Sequence, residues 1–265
     1  MVNSSIAIHT LPCLSDNYAY VVHNSAAGTA AVVDVPEAGP LVAKISELNV
    51  PVTDIFLTHH HWDHIDGLPD LQAALTGSLG QAPAQVIGAK ADAHRLPTLD
   101  KAVNPGDRLT LCGIDGEIYD VSGHTLGHLA LHLPSAKAVF TADSLMAMGC
   151  GRLFEGSAAQ MWHRLLQLRA LPQNTWVYSV HEYTASNMAF TQSLGEDNPA
   201  INARAAEITK DRAAGRPTVP SLLALEMQTN PFLRADDPAL KTAVGMPEAN
   251  AEQVFAEIRA RKDKF

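Results

Sequence analysis

Cysteine is scarce: only Cys13, Cys112 and Cys150 occur in the chain. None belongs to a C-x-x-C pair, and an odd count fits a reduced, cytoplasmic chain better than a disulfide framework. No apolar run approaches the roughly 18 residues that a membrane-crossing helix needs. Residues 1–17 show no basic segment followed by an apolar core, so no secretory leader is read there and a cytoplasmic setting is expected. Positive charge is in deficit, with 19 Lys and Arg against 28 Asp and Glu and a net charge of −9. That balance argues against nucleic acid or an anionic membrane as partner. Internal repeats and low-complexity tracts are absent as well, which removes solenoids and disordered linkers from consideration.

What is there suits an ordinary globular protein. The 265 residues are 46% hydrophobic and 18% charged, enough for a substantial core in one or two domains. Strand-like and helix-like segments alternate over the first two-thirds. Tyr18–Val22, Ala30–Val35, Ile55–Leu57, Val86–Ile87, Leu109–Leu111, Ile118–Tyr119, Leu129–Leu133 and Val139–Phe140 read as strands. Leu41–Leu48, Leu68–Leu75 and Ala158–Leu168 read as helices, the last with Met161, Leu165 and Leu168 on one face. Beyond His181 the chain reads as helical. Pro199–Ala214 has Pro at its first position and Gly215 past its end. Ser221–Met227 and Ala251–Lys262 are further helices, the former with Ser221 as its cap.

The informative run is Thr58-His59-His60-His61-Trp62-Asp63-His64, which follows the apolar strand Asp54–Leu57. It concentrates imidazoles and a carboxylate, the ligands that zinc, iron and manganese accept, on a loop at a strand end. Further candidates come at later strand ends. His124 lies in Ser122-Gly123-His124-Thr125-Leu126-Gly127-His128, Asp143 in Thr141-Ala142-Asp143-Ser144, and His181 opens His181-Glu182-Tyr183-Thr184. His59, His61, Asp63, His64, His124, Asp143 and His181 are too many ligands for one tetrahedral ion and about right for two that share a carboxylate. His60 should point away from its neighbours on an extended segment. His128 suits a packing or supporting role, Trp62 packing, and Asp34 either support of the metal loop or a plain strand end. His9, His23, His94, His132 and His163 match no pattern.

The run T-H-x-H-x-D-H, then G-H-T-x-G-H, then an Asp and a His at successive strand ends, resembles the metallo-β-lactamase superfamily. Within it, Leu14-Ser15-Asp16-Asn17-Tyr18, the unbroken T-H-H-H-W-D-H, Gly149–Gly156, His181–Thr184, Thr218–Ser221, Asn230–Arg234 and Arg259–Phe265 resemble the glyoxalase II family from end to end. The resemblance implies a mixed α/β fold, a four-layer αββα sandwich over residues 1–180, and a smaller α-helical glutathione-binding domain over 181–265. It implies two divalent ions, zinc first and iron or manganese also suited. His59, His61 and His124 would hold one, Asp63, His64 and His181 the other, and Asp143 both. Asp63 and Asp143 are the expected catalytic carboxylates. Arg152, Phe154, Tyr183, Arg259 and Lys262 are the expected substrate contacts, the last two sharing a helical face to hold a carboxylate of glutathione. The implied activity is hydrolysis of a small-molecule glutathione thioester, S-D-lactoylglutathione, in methylglyoxal detoxification by a monomer.

The sequence departs from the family pattern at Ala142, where Gly is common, at Val180, where Gly is frequent, and at Ile65-Asp66-Gly67 after the metal run. Phe154 lacks a hydroxyl that the family often has there. No ligand is lost. The competing reading is a persulfide dioxygenase-like enzyme with a single iron, against which a seven-ligand set counts.

Overall fold

The computed structural model describes residues 5–265. They divide into two compact units, one reaching to Asp120 and taking in Gly127–Phe140, the other made of Val121–Leu126 and Thr141–Phe265. The sequence boundary at 180 falls inside the second unit.

The first unit is built on a sheet of β1 (Ile6–Cys13), β2 (Asn17–Asn24), β3 (Thr29–Val33), β4 (Val52–Phe56), β5 (Gln85–Ala89) and β6 (Lys101–Val103), adjacent in that order. The first three strands are antiparallel neighbours. From β3 onward pairing is parallel. Parallel neighbours need long crossovers. Helix α1 (Ala38–Leu48) supplies the one from β3 to β4, with Leu41 and Ile45 buried. The short α2 (Trp62–Ile65) and α3 (Leu68–Thr76) lie between β4 and β5. A second set of antiparallel strands, β7 (Arg108–Leu111), β8 (Ile114–Asp120), β9 (Leu129–Leu133) and β10 (Ala138–Phe140), completes the unit. It faces the first sheet through Tyr20 and Phe140, whose ring centroids are 5.5 Å apart. Central strands therefore have two buried faces, which is why β3 and β9 read as mainly apolar runs without alternation.

The second unit holds the small hairpin β11 (Leu145–Met146) and β12 (Gly149–Cys150), and the pair β13 (Trp176–Tyr178) and β14 (Ser221–Leu222). Its helices are α4 (Ala158–Arg169), α5 (Thr184–Ser193), α6 (Pro199–Ala213), α7 (Leu223–Thr229), α8 (Pro238–Ala243) and α9 (Ala251–Lys262). Helix α9 opens with a capping box of Asn250 and Gln253. It packs on α4 and on the Pro231–Leu233 turn, where Phe255 meets Trp162 at 5.8 Å and Phe232 at 5.7 Å.

Two expectations need correction. Trp62 does not pack: it is 64% exposed. Ser221 is no helix cap, because its backbone pairs with Val177 and α7 begins two residues later. Helix α5, with its low amphipathicity, and strand β1, paired over its whole length with β2, were not read from periodicity.

Candidate metal centre

In the first unit, β3 and β4 end side by side, and both deliver polar groups at their carboxyl ends, where open parallel sheets place their sites. Asp34 follows β3 in the left-handed region, with φ of 56°. Fully buried, its carboxylate accepts from Thr58 N, Thr58 Oγ1 and His64 Nδ1, each at 2.8 Å. Since the Thr58 hydroxyl donates to Asp34, its lone pair accepts from His59 Nδ1, 3.1 Å away. Both imidazoles thus carry their proton on Nδ1 and present Nε2 as a ligand. His59 Nε2 lies 3.1 Å from His61 Nδ1. Asn17, from the Leu14–Tyr18 motif, donates at 3.1 Å to both the carbonyl and Oδ2 of Asp63. Asp63 Oδ2 is 3.8 Å from His64 Nε2.

His60 turns away as expected, with Nδ1 3.3 Å from Asp92 Oδ2. Asp92 is buried and also binds Arg95, at 2.6 Å. No local pattern announces it, although Gly127 of the G-H-T-x-G-H motif gives a clue: a Cβ there would lie 2.1 Å from Asp92 Cγ. His128 packs its ring 4.6 Å from that of His59.

The second unit brings together the other candidates. Asp143 points its two oxygens at two imidazoles, Oδ2 3.2 Å from His124 Nε2 and Oδ1 3.3 Å from His181 Nε2. The carbonyl of Arg152 accepts from His124 Nδ1 at 2.8 Å, which again leaves Nε2 as the ligand atom. Gly151 is required beside Asp143, since a Cβ would come within 1.9 Å of the Asp143 carbonyl oxygen. Tyr183 stacks on His181, with centroids 4.6 Å apart and planes within 3°. Phe154, 60% exposed, stands over His124 at 5.2 Å.

The tail cations differ from one another. Arg259 is buried, donating through Nη1 to Cys150 O at 2.9 Å and through Nη2 to Asp263 at 3.0 Å. Lys262 is half-buried, with Nζ 3.3 Å from Ser186 Oγ and over the Phe190 and Phe265 rings. Burial, then repulsion from Arg259, lowers its pKa. Arg152 is exposed and faces Asp263 at 3.3 Å. Burial pushes the Cys150 thiol up to about 11 against the pull of Arg259.

These donors fit divalent metal. Ligands at 2.0–2.1 Å around a tetrahedral ion stand about 3.3–3.4 Å apart. The His59–His61, His124–Asp143 and His181–Asp143 separations are 3.1, 3.2 and 3.3 Å. His59, His64 and His124, held as the Nδ1–H tautomer, form with the other imidazoles and the carboxylates a ligand set rather than an ordinary buried polar cluster.

The fold and these residues are those of the metallo-β-lactamase superfamily. Its family model matches residues 16–181, and that for the hydroxyacylglutathione hydrolase C-terminus matches residues 182–265. A hydroxyacylglutathione hydrolase of Ruegeria pomeroyi is 57% identical over 98% of this chain and 99% of its own length. Among solved structures, a B3 metallo-β-lactamase, BLEG-1, superposes with a TM-score of 0.65 at 18% identity, over 86% of this chain and 99% of that one. ETHE1 from Myxococcus xanthus gives 0.66 at 23%, over 96% and 90%. The chain belongs to the hydroxyacylglutathione hydrolase family, as the motifs implied. The expected αββα sandwich with a helical C-terminal domain is borne out. The likeness to ETHE1 is one of fold alone. No helix among the described residues is long and apolar enough to cross a membrane.

Proposed function

We propose that the chain hydrolyses S-D-lactoylglutathione to glutathione and D-lactate with two divalent ions, zinc foremost. The observation that carries the reading is the family match through the C-terminal residues 182–265, together with a hydroxyacylglutathione hydrolase relative 57% identical over 98% of the chain. His59, His61 and His124 would hold one ion and Asp63, His64 and His181 the other, with Asp143 available to both. The two oxygens of Asp143, each turned to a different imidazole, support that sharing. When bound, such a pair supplies hydroxide at neutral pH and Lewis acidity toward a carbonyl oxygen.

The residues of the chain do the rest. Asp34 and the Arg152 carbonyl fix the imidazole tautomers. Asp63, steadied by Asn17, and Asp143 orient the attacking water. Water adds across the thioester: a C–O bond forms, the C–S bond breaks, and one proton goes to the leaving glutathione thiolate. Tyr183, Phe154 and Arg152 line the approach and contact glutathione. Lys262 pairs with a substrate carboxylate, and Arg259 adds positive potential behind it. Residues 1–180 serve catalysis and 181–265 substrate recognition. The free, buried cysteines support a reducing cytoplasmic setting, and a monomer suffices for the site.

Two assays of the metal-loaded protein test this. Thiol release from S-D-lactoylglutathione, without oxygen uptake from glutathione persulfide, is the expected pair. Oxygen uptake without thiol release would refute it.

A further inference from the structure

The segment Leu145–Gly151 joins Asp143 to Arg152, and six consecutive residues of it are gripped by side chains from the helical tail. Asn230 Nδ2 donates to the carbonyls of Met146 and Gly149, both at 3.0 Å. Asn187 Nδ2 donates to Ala147 O at 3.1 Å. Glu226 accepts from Met148 N at 2.9 Å. Arg259 Nη1 donates to the carbonyls of Cys150 at 2.9 Å and Gly151 at 3.4 Å. These four side chains come from α5, the end of α7, α7 and α9, and all are buried. They are cross-braced: Asn230 also donates to Glu226 at 3.0 Å, and Arg204 of α6 donates to Glu226 and, at 2.6 Å, to Thr229.

Burying a carboxylate, two guanidinium groups and two carboxamides is a poor way to gain stability. Desolvation offsets most of what the bonds contribute, and apolar packing would stabilise more. What hydrogen bonds supply is direction. The hairpin needs it, because β11 and β12 have two residues each and Met148 sits at φ of 60°. Its two ends are the supports of candidate ligands. Gly151 N donates to Ser144 O at 3.1 Å, and the Gly151 backbone abuts Asp143. The next carbonyl, that of Arg152, holds His124. A shift of the segment would move both.

We propose that Asn187, Glu226, Asn230 and Arg259 form a positioning clamp that sets Asp143 and His124 for metal binding. The tail then acts on the metal centre as well as on the substrate. The clamp rests on the reading of Asp143 and His124 as ligands.

The test is cobalt(II) titration of the full-length, metal-stripped protein, followed by visible absorption. Wild type should take up two ions. Asn230→Ala and Asn187→Ala should each weaken uptake about tenfold or more, as loss of ligand-orienting partners does, and alter the cobalt bands. Leu240→Ala, which opens a cavity on α8, should lower Tm and leave cobalt affinity unchanged. Should Asn230→Ala fail to fold, Asn187→Ala, which loses one bond, carries the comparison. Wild-type affinity and spectrum in the foldable clamp variants, with only Tm reduced, would overturn the clamp. A wild-type chain that binds no cobalt would overturn the metal reading and the clamp with it.

Discussion

Asp34 governs two of the histidines. Its carboxylate holds His64 directly and His59 through Thr58, so the ligand face of both rings depends on one charge. Asp34→Asn keeps the left-handed backbone, which Asn tolerates, but offers one acceptor oxygen where Asp offers two. We expect metal affinity to fall about tenfold to a hundredfold, as for other ligand-orienting partners. Chelator competition reads this, and unchanged affinity would show that the tautomers are set elsewhere. Ala142 is the complementary case. It occupies φ of 42° next to Asp143, at a position where the family pattern favours Gly. A left-handed alanine costs roughly 1–2 kcal/mol, and the added freedom of Gly in the unfolded chain returns about 0.5–1 kcal/mol of that. Ala142→Gly should therefore raise Tm slightly. A lower Tm would mean that the turn carries no strain.

Helix α9 presents Arg259 and Lys262 on one face, but to different surroundings. Lys262→Ala removes a contact that is equal in the ground and transition states, so KM should rise with kcat nearly unchanged. Half-exposure reduces the value of a charge-assisted bond, and a loss of about three- to tenfold in kcat/KM is expected. Because the Lys262 pKa is lowered, its charge goes at a lower pH than that of an ordinary lysine. KM should accordingly climb before pH 10.4, the usual lysine value. Arg259→Ala should lower kcat as well, since it also releases Cys150 and Gly151. Steady-state kinetics separates the two, and identical KM-only effects would place both on the substrate. The elements were legible wherever an apolar run or a helical period was strong: β2, β3, β9, α4 and α9 lie close to where those patterns put them. Ser221 misled because a cap-like residue can equally open a short strand. The metal run was legible because its ligands are neighbours in sequence. Of the supports, only Asp34 stood out as a candidate. Asp92 meets His60, and Glu226 meets Met148, across long stretches of chain with nothing local to mark the pairing.

At the scale of the whole molecule, acid should switch off activity before it unfolds the chain. An imidazole must be neutral to hold a metal ion, so protons compete with the ions for these ligands as pH falls below neutral. The ion pairs that hold the second unit respond much lower. The hydrogen bond from Arg169 holds the Asp236 carboxyl below its ordinary value. The stabilisation from that pair is thus fully present above the unfolded carboxyl value, about 3.9, and is lost only as pH falls through the lower folded value. Activity followed alongside circular dichroism between pH 7 and 4 should show activity lost first with the fold retained. Coincident loss would mean that the metal centre and the fold give way together. The central claim, a binuclear thioester hydrolase, is tested most directly by measuring thiol release from S-D-lactoylglutathione while zinc is added stepwise to metal-free protein. The rate should rise to a plateau at two equivalents per chain. Full activity at one equivalent, or no thiol release at any loading, would contradict it.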